Sequence, residues 1–198
     1  MMRRETGLLC AAGLASALTA LFVLACANGE EDKPGPGPYE PNEPKLVLAN
    51  VEFAFGNQDA DLLSTCLGGE FRFYFDLNDV GEEVHGYIIP EFWSKADTLR
   101  AVGNMFARTY ATTLSANWRT MGSPGPGEKT YVATGVPLRI VVMVDEVNGY
   151  ALDDGTCDYE FEQGDGAAWR LTLWRDRSRE CGCVGELTLG RLLAGYYL

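Results

Sequence analysis

Hydrophobic residues recur along the chain with two different periods. Between Lys45 and Gln58, Val47, Val51 and Phe55 stand four apart, with Phe53 and Ala54 widening the stripe. That spacing predicts an amphipathic helix, closed at Gly56-Asn57. Asp59 is a fitting cap for a second, short helix from Ala60 to Leu67, stopped by Gly68-Gly69. The period then falls to two. Phe71, Phe73 and Phe75 alternate with Arg72, Tyr74 and Asp76, as in a strand with one apolar face. Asn78 to Gly81 predicts a turn. Val84 to Ile89 predicts a short strand broken by Pro90. Ser94 is a cap for a third helix running to about Arg108, with Leu99, Val102, Met105 and Phe106 inward.

The remainder reads as a meander of strands. Thr109 to Arg119 is the first, and the Gly/Pro-rich run from Gly122 to Gly127 is a loop. Lys129 to Glu146 is a long strand with a bulge or bend near Gly135-Val-Pro137. Asn148-Gly149 and Asp153-Asp154-Gly155 predict interruptions. Cys157 to Gln163 alternates, with Cys157, Tyr159 and Phe161 on one face and Asp158, Glu160 and Glu162 on the other. A turn at Gly164 to Gly166 leads into a strand from Trp169 to Asp176. Leu187 to Tyr197 forms a terminal helix or arm, and the C-terminal arm begins near residue 178. No internal repeat is present.

The first 25 residues follow neither pattern. Arg3 and Arg4 precede an uncharged apolar run from Leu8 to Ala25. A charged start followed by an apolar stretch of this kind predicts an export signal; a retained transmembrane anchor is the alternative. The run ends in Val23-Leu24-Ala25-Cys26, which resembles the lipobox of bacterial lipoproteins. The resemblance implies cleavage before Cys26, lipidation of that cysteine and a stable hold on a membrane through several acyl chains. Ala27 and Asn28 follow Cys26 where inner-membrane lipoproteins commonly carry Asp. The expectation is therefore a lipid-anchored protein of the bacterial cell envelope, at the outer rather than the inner membrane. Residues 26–44 carry Pro34, Pro36, Pro38, Pro41 and Pro44 among glycines and acids, an extended tether. The folded domain then spans 45–198.

Composition narrows the partners. The chain has 16 Lys and Arg against 28 Asp and Glu, a formal net charge of -12. Loss of Arg3, Arg4 and Glu5 with the leader makes the mature chain more negative still. Such a chain repels phosphate, so no nucleic-acid partner is expected. A hydrophobic fraction of 46% with 22% charged residues excludes a disordered chain.

The order helix, helix, strand, strand, helix, then antiparallel strands, joins a particular opening. It runs Phe53-Ala-Phe-Gly-Asn-Gln-Asp59 and then Cys66-Leu-Gly-Gly-Glu-Phe-Arg-Phe-Tyr-Phe75. Together these resemble the nuclear transport factor 2-like superfamily, which includes SnoaL-like and ketosteroid isomerase-like proteins. The resemblance covers Leu46 to Asp176. It implies an α+β fold in which a cone-shaped, curved antiparallel sheet wraps around about three helices and an apolar pocket. Members of that superfamily include enzymes, ligand binders and proteins that only dimerise, so fold alone does not assign an activity.

Several residues could carry chemistry. Asp76 with Tyr74 could serve as base and oxyanion donor, as in enzymes of this superfamily; the alternation instead turns both away from the core face. His85, the only histidine, could pair with Asp76 or Asp79 as in related dehydratases, or be a plain turn residue. Asp76 to Gly81 partly matches a calcium loop but has Val80 and Tyr87 where ligands belong, so an Asx-type turn accounts for it. Trp93, Tyr110, Trp118 and Trp169, with Trp174, are the aromatics available to wall a small-molecule pocket or to fill the core. After Cys10 and Cys26 are accounted for, Cys66, Cys157, Cys181 and Cys183 remain. An even number in an exported chain favours disulfides, with Cys66–Cys157 the first pairing considered. The Cys181-Gly-Cys183 spacing is too tight for a zinc site, and no metal or cofactor is expected. The function expected is non-catalytic binding of a small apolar ligand or a partner protein. The alternatives are a structural, homodimeric envelope protein and an isomerase or dehydratase using His85.

Overall fold

The computed structural model describes residues 37–177 and 187–198. The leader, the lipobox with Cys26, the start of the tether and the Cys181/Cys183 pair lie outside the described residues. Helix α1 (Pro44–Asn57) opens on a proline, whose missing N–H costs nothing in a first turn, and buries Val47, Val51, Ala54 and Phe55. Gln58, at φ 54, closes it in the left-handed region. Helix α2 (Ala60–Cys66) is capped as expected: the Asp59 carboxylate accepts the Leu62 N–H at 2.8 Å. Leu67 does not end this helix but begins strand β1 (Leu67–Tyr74). Gly68, expected as a helix stop, lies inside the strand. A Cβ there would come within 3.3 Å of Thr172, so glycine permits the close approach of the neighbouring strand.

The stretch expected as one strand from Val84 to Ile89 is a hairpin of β2 (Glu83–Val84) and β3 (Tyr87–Ile88). Its two-residue turn is His85-Gly86, with φ 50 and 86, the twin left-handed geometry that suits a tight hairpin. A short β4 (Phe92–Ser94) follows, then α3 (Lys95–Arg108). Ser94 and Asp97 form a reciprocal capping box at its start. The hydroxyl of Ser94 is the main cause holding the Asp97 carboxyl below its usual range. The remaining strands are β5 (Ala111–Ala116), β6 (Thr130–Met143), β7 (Gly149–Gln163) and β8 (Trp169–Asp176), and α4 (Leu189–Ala194) forms the arm.

Six strands make one sheet in the order β4-β1-β8-β7-β6-β5. All neighbours are antiparallel except β1 and β8, which run parallel, so the sheet is mixed rather than wholly antiparallel. The expected bulge near Gly135 is present: Thr134-Gly135 oppose Asp158, which accepts the Gly135 N–H at 2.8 Å. The expected interruption at Asp153-Asp154-Gly155 is instead a bulge within a continuous β7. Asp153 and Asp154 there stand opposite Arg139, which pairs with Asp153 at 2.6 Å. Bulges of this kind bend and twist a strand pair without ending it.

One face of the sheet is dry. Phe71, Phe73 and Phe75, then Leu171 and Trp174 of β8, Tyr159 and Phe161 of β7 and Ile140 of β6 are all buried there. The apolar residues of α1, α2 and α3 pack over them. The tether joins the fold earlier than expected. Tyr39 exchanges two hydrogen bonds with the Asn50 side chain, and Trp169 donates its N–H to Pro41 O at 2.7 Å.

The Cys66–Cys157 pairing is not formed; both thiols are free and buried. Leu67, beside Cys66, pairs with Leu171 of β8, whereas Cys157 pairs with Asp176. Five residues of strand separate those rows by about 16 Å, well past the roughly 7 Å over which two Cα atoms can be bridged. Burial pushes the Cys66 thiol up to about 11 and raises Cys157 well above its ordinary value.

Two outcomes follow for solution. Without reductant, alkylation under denaturing conditions labels both Cys66 and Cys157, while in the native state neither reacts within minutes; mass spectrometry of the peptides reads this directly. Phe73→Ala, which removes a ring in contact with Phe75, Trp93 and Trp174, lowers the unfolding free energy by about 3–5 kcal/mol in a urea titration.

Candidate functional site

The residues singled out in the sequence do not meet in one place. His85 is exposed at the tip of the β2–β3 hairpin, against Gly195 of the arm. Among the described residues it bonds no carboxylate, so the His85–Asp76 or His85–Asp79 dyad is not assembled. Asp76 is buried just past the end of β1, where its Oδ1 accepts both the backbone and side-chain N–H groups of Asn78. That is the Asx turn. Tyr74 lies on the opposite, outer face, its ring beside Phe92 and beneath the Arg175 guanidinium. Asp76 and Tyr74 line a surface cavity of about 740 Å³ with Glu91, Arg175, Asp176 and Arg177.

The proposed aromatic floor is likewise dispersed. Trp93 is buried, stacked on Tyr197 at 5.0 Å, and donates its Nε1–H to the Tyr87 hydroxyl. Trp169 is buried at the start of β8, under the Pro41 segment. Trp118 is half-buried and donates to Glu52 Oε2. Tyr110 is 63% exposed. Phase explains the scatter: these four sit on different elements and do not share the inner face of adjacent strands.

The buried acids hold the C-terminal arm. Asp79 accepts a hydrogen bond from Thr188 Oγ1 and one from Arg191, and Asp176 accepts the Gly190 N–H at 2.7 Å. Gly190 is required there, because a Cβ would fall 2.6 Å from the Phe75 ring. Further along, Tyr197 OH donates to Asp97 Oδ1 at 2.9 Å, and Asn104 and Arg108 bind the backbone carbonyls of Tyr196 and Leu198. These carboxylates are engaged in structure.

A different group emerges on the inner face. Tyr159 on β7 and Trp174 on β8 are directly opposed, with ring centroids 5.5 Å apart. Both are buried, and neither polar donor, the Tyr159 hydroxyl or the Trp174 Nε1–H, meets an oxygen or nitrogen acceptor; each has only the Cys157 sulfur within reach. The neighbour they share is the Cys157 thiol. Sulfur is a weak acceptor and leaves such donors unsatisfied. Burial first, and then the adjacent Cys157, keep the Tyr159 hydroxyl protonated far into the alkaline range. These two donors are hydrogen-bonding capacity that the inner face leaves without an oxygen acceptor. Their signal in the sequence is the period-two row Cys157, Tyr159, Phe161; what one strand cannot reveal is that Trp174 stands opposite it. Among the described residues, no cluster of His, Cys, Asp or Glu is arranged to hold a metal.

No family model matches the chain, and no curated protein does. Similar solved structures do exist. One is a nuclear transport factor 2-like superfamily protein from Salmonella enterica serovar Typhimurium, 14% identical over 71% of this chain and 92% of that one, with a TM-score of 0.47. Another is a putative aromatic ring hydroxylase from Novosphingobium aromaticivorans, 14% identical over 66% of this chain and 82% of that one, with a TM-score of 0.49. A third is a putative dehydratase of the same superfamily from Streptomyces avermitilis, 14% identical over 66% and 89%, with a TM-score of 0.46. By its own element order the chain is an α+β fold, three helices laid on the inner face of a bulged, mixed six-stranded sheet.

Proposed function

We propose that this chain is a lipid-anchored bacterial envelope protein whose domain binds, without turning it over, a small and largely apolar molecule that presents an acceptor oxygen. The observation that carries the reading is the pair of buried, unsatisfied donors on the inner face, Tyr159 Oη and Trp174 Nε1. Each such donor costs the empty fold about 1–3 kcal/mol, a cost that an acceptor from a ligand removes. The surrounding Phe73, Phe161 and Leu171 supply the apolar wall. Binding rather than turnover is favoured by the state of the nearby groups. The Cys157 thiol and the Tyr159 hydroxyl are held neutral, and Asp176 accepts a hydrogen bond from the arm. A base must be poised near the working pH to move a proton. The lipid on Cys26, followed by Ala27-Asn28, supports the outer membrane as the location.

Native mass spectrometry of the full chain, released in detergent, is expected to carry a co-purifying small molecule; a uniformly empty mass overturns the binding reading. Tyr159→Phe weakens retention of that molecule by about 10-fold, the worth of one buried hydrogen bond. The same change leaves the empty domain as stable or more stable, because it deletes an orphaned hydroxyl. If Tyr159 only filled space, retention would not move. Cys26→Ser abolishes palmitate incorporation in cells, and unchanged labelling of that variant contradicts the anchor.

A further inference from the structure

The donor pair on the inner face lies one row in from the end of the sheet, and the C-terminal arm covers that end. Phe73, Trp174 and Tyr159 share a row across β1, β8 and β7. The next inward-facing residues on those strands are Phe75, Asp176 and Cys157, all buried, with Asp176 and Cys157 paired in register. Asp176 is near enough to push the Cys157 thiol up further, after burial itself. Gly190 of α4 rests on this second row. Its N–H donates to Asp176 at 2.7 Å, and a Cβ on it would strike the Phe75 ring. Farther along the arm, Tyr197 stacks on Trp93, whose ring centre lies 4.7 Å from that of Phe75 and 6.1 Å from that of Phe73. The arm therefore lies over the rings and the carboxylate that separate the donors from this end of the domain.

Its attachments let it leave as a unit. The backbone hydrogen bonds of the arm are internal, as from Leu192 N–H to Thr188 O and from Gly195 N–H to Arg191 O. It adds no strand to the sheet. Its hydrogen bonds to the rest of the domain run through side chains: Asp79 and Glu82 hold Thr188 and Arg191, Asp176 holds Gly190, and Asn104 and Asp97 hold Tyr196 and Tyr197. Lifting the arm breaks no ladder, and such units open at a free energy below that of global unfolding. Burial of Leu189, Leu192 and Leu193 makes the closed state the major one. Tyr159 has no exposed surface and Trp174 only 3%, so a molecule reaches them only when an element moves. We propose that the arm, Thr188 to Tyr197, is the gate of the inner face: it lifts from Phe75, Asp176 and Trp93 in one piece and admits a small molecule to Tyr159 and Trp174. The gate's purpose rests on the binding reading, whereas its opening is measurable without a ligand.

The test is native-state labelling of the full chain in detergent with N-ethylmaleimide at one fixed pH, read cysteine by cysteine by peptide mass spectrometry. Cys157 reports the gate, because it adjoins the Asp176 anchor of Gly190; Cys66, at the end of α2, is the internal control. Two variants loosen the arm. Tyr197→Ala removes the stack on Trp93 and the bond to Asp97, and Thr188→Val with Arg191→Ala removes the bonds to Asp79 and Glu82. Each is expected to speed labelling of Cys157 by about 10-fold or more, the effect of losing one or two hydrogen bonds, and to leave Cys66 unchanged. The added rate stays flat in low urea, because a local opening exposes little surface. If the double variant does not fold, Tyr197→Ala carries the test alone. An unchanged Cys157 rate in the folded variants overturns the gate. So does a rise that Cys66 shares and that climbs steeply with urea, the mark of global unfolding. A co-purifying molecule, or its absence, does not enter this readout, so the gate and the ligand reading fail separately.

Discussion

The parallel ladder between β1 and β8 is the constraint on which the rest of the structure depends. It joins the first described strand to the last, with every other described strand between them in sequence. Parallel neighbours cannot be linked by a tight turn, so the chain must leave β1, build α3, and return through the β5–β8 meander before the pairing can close. The close approach at Gly68 and the register Phe73 to Trp174 and Tyr74 to Arg175 set the phase of both strands. That phase decides which side chains face the helices. It aims Phe73 and Trp174 inward and Tyr74 and Arg175 outward at once. A slip of one residue would exchange the two sets and bury a guanidinium.

The same phase explains why the inner face combines packing with unsatisfied polarity. A core of Phe, Leu and Trp is fully served by burial alone, and Phe could stand at 159 without loss to packing. Tyr there, opposite a Trp whose Nε1–H is also unmet, departs from the rule that buried donors are paired. Local departures from the best folding solution tend to mark sites of function, where stability is given up for a recognition feature. The other buried polar groups of the domain behave conventionally. Asp76 closes an Asx turn, Asp79 and Asp176 hold the arm, and Asp158 pairs with Arg177 and caps a bulge. Only the donors on β7 and β8 are left with a thiol for company.

Local elements were legible because their signals are local. The four-residue spacing of Val47, Val51 and Phe55, the caps at Asp59 and Ser94, and the alternation of Phe71 to Phe75 each specify their element within a few residues. The signals that misled were those whose meaning depends on a neighbour. Gly68-Gly69 reads as a helix stop until a second strand lies beside it. Asp153-Asp154-Gly155 reads as a break until Arg139 stands opposite and turns it into a bulge. His85-Gly86 sits inside what alternation presents as one strand, yet left-handed backbone at both residues folds it into a hairpin. Candidate chemistry fared worse than structure for the same reason. The Cys66–Cys157 bridge and the His85 dyad are pairings between distant segments, and sequence spacing does not encode that distance. Tyr159 and Trp174 were each visible as aromatic residues, but their opposition exists only once β7 and β8 are in register.

The central claim, that the inner face is built around two donors awaiting an acceptor, is tested most directly by a high-resolution electron-density map of the chain purified without denaturation. The account predicts extended density against Phe73 and Trp174, with a polar atom within hydrogen-bond reach of both Tyr159 Oη and Trp174 Nε1. An isolated water bridging the two donors, or no density between them at all, would contradict it.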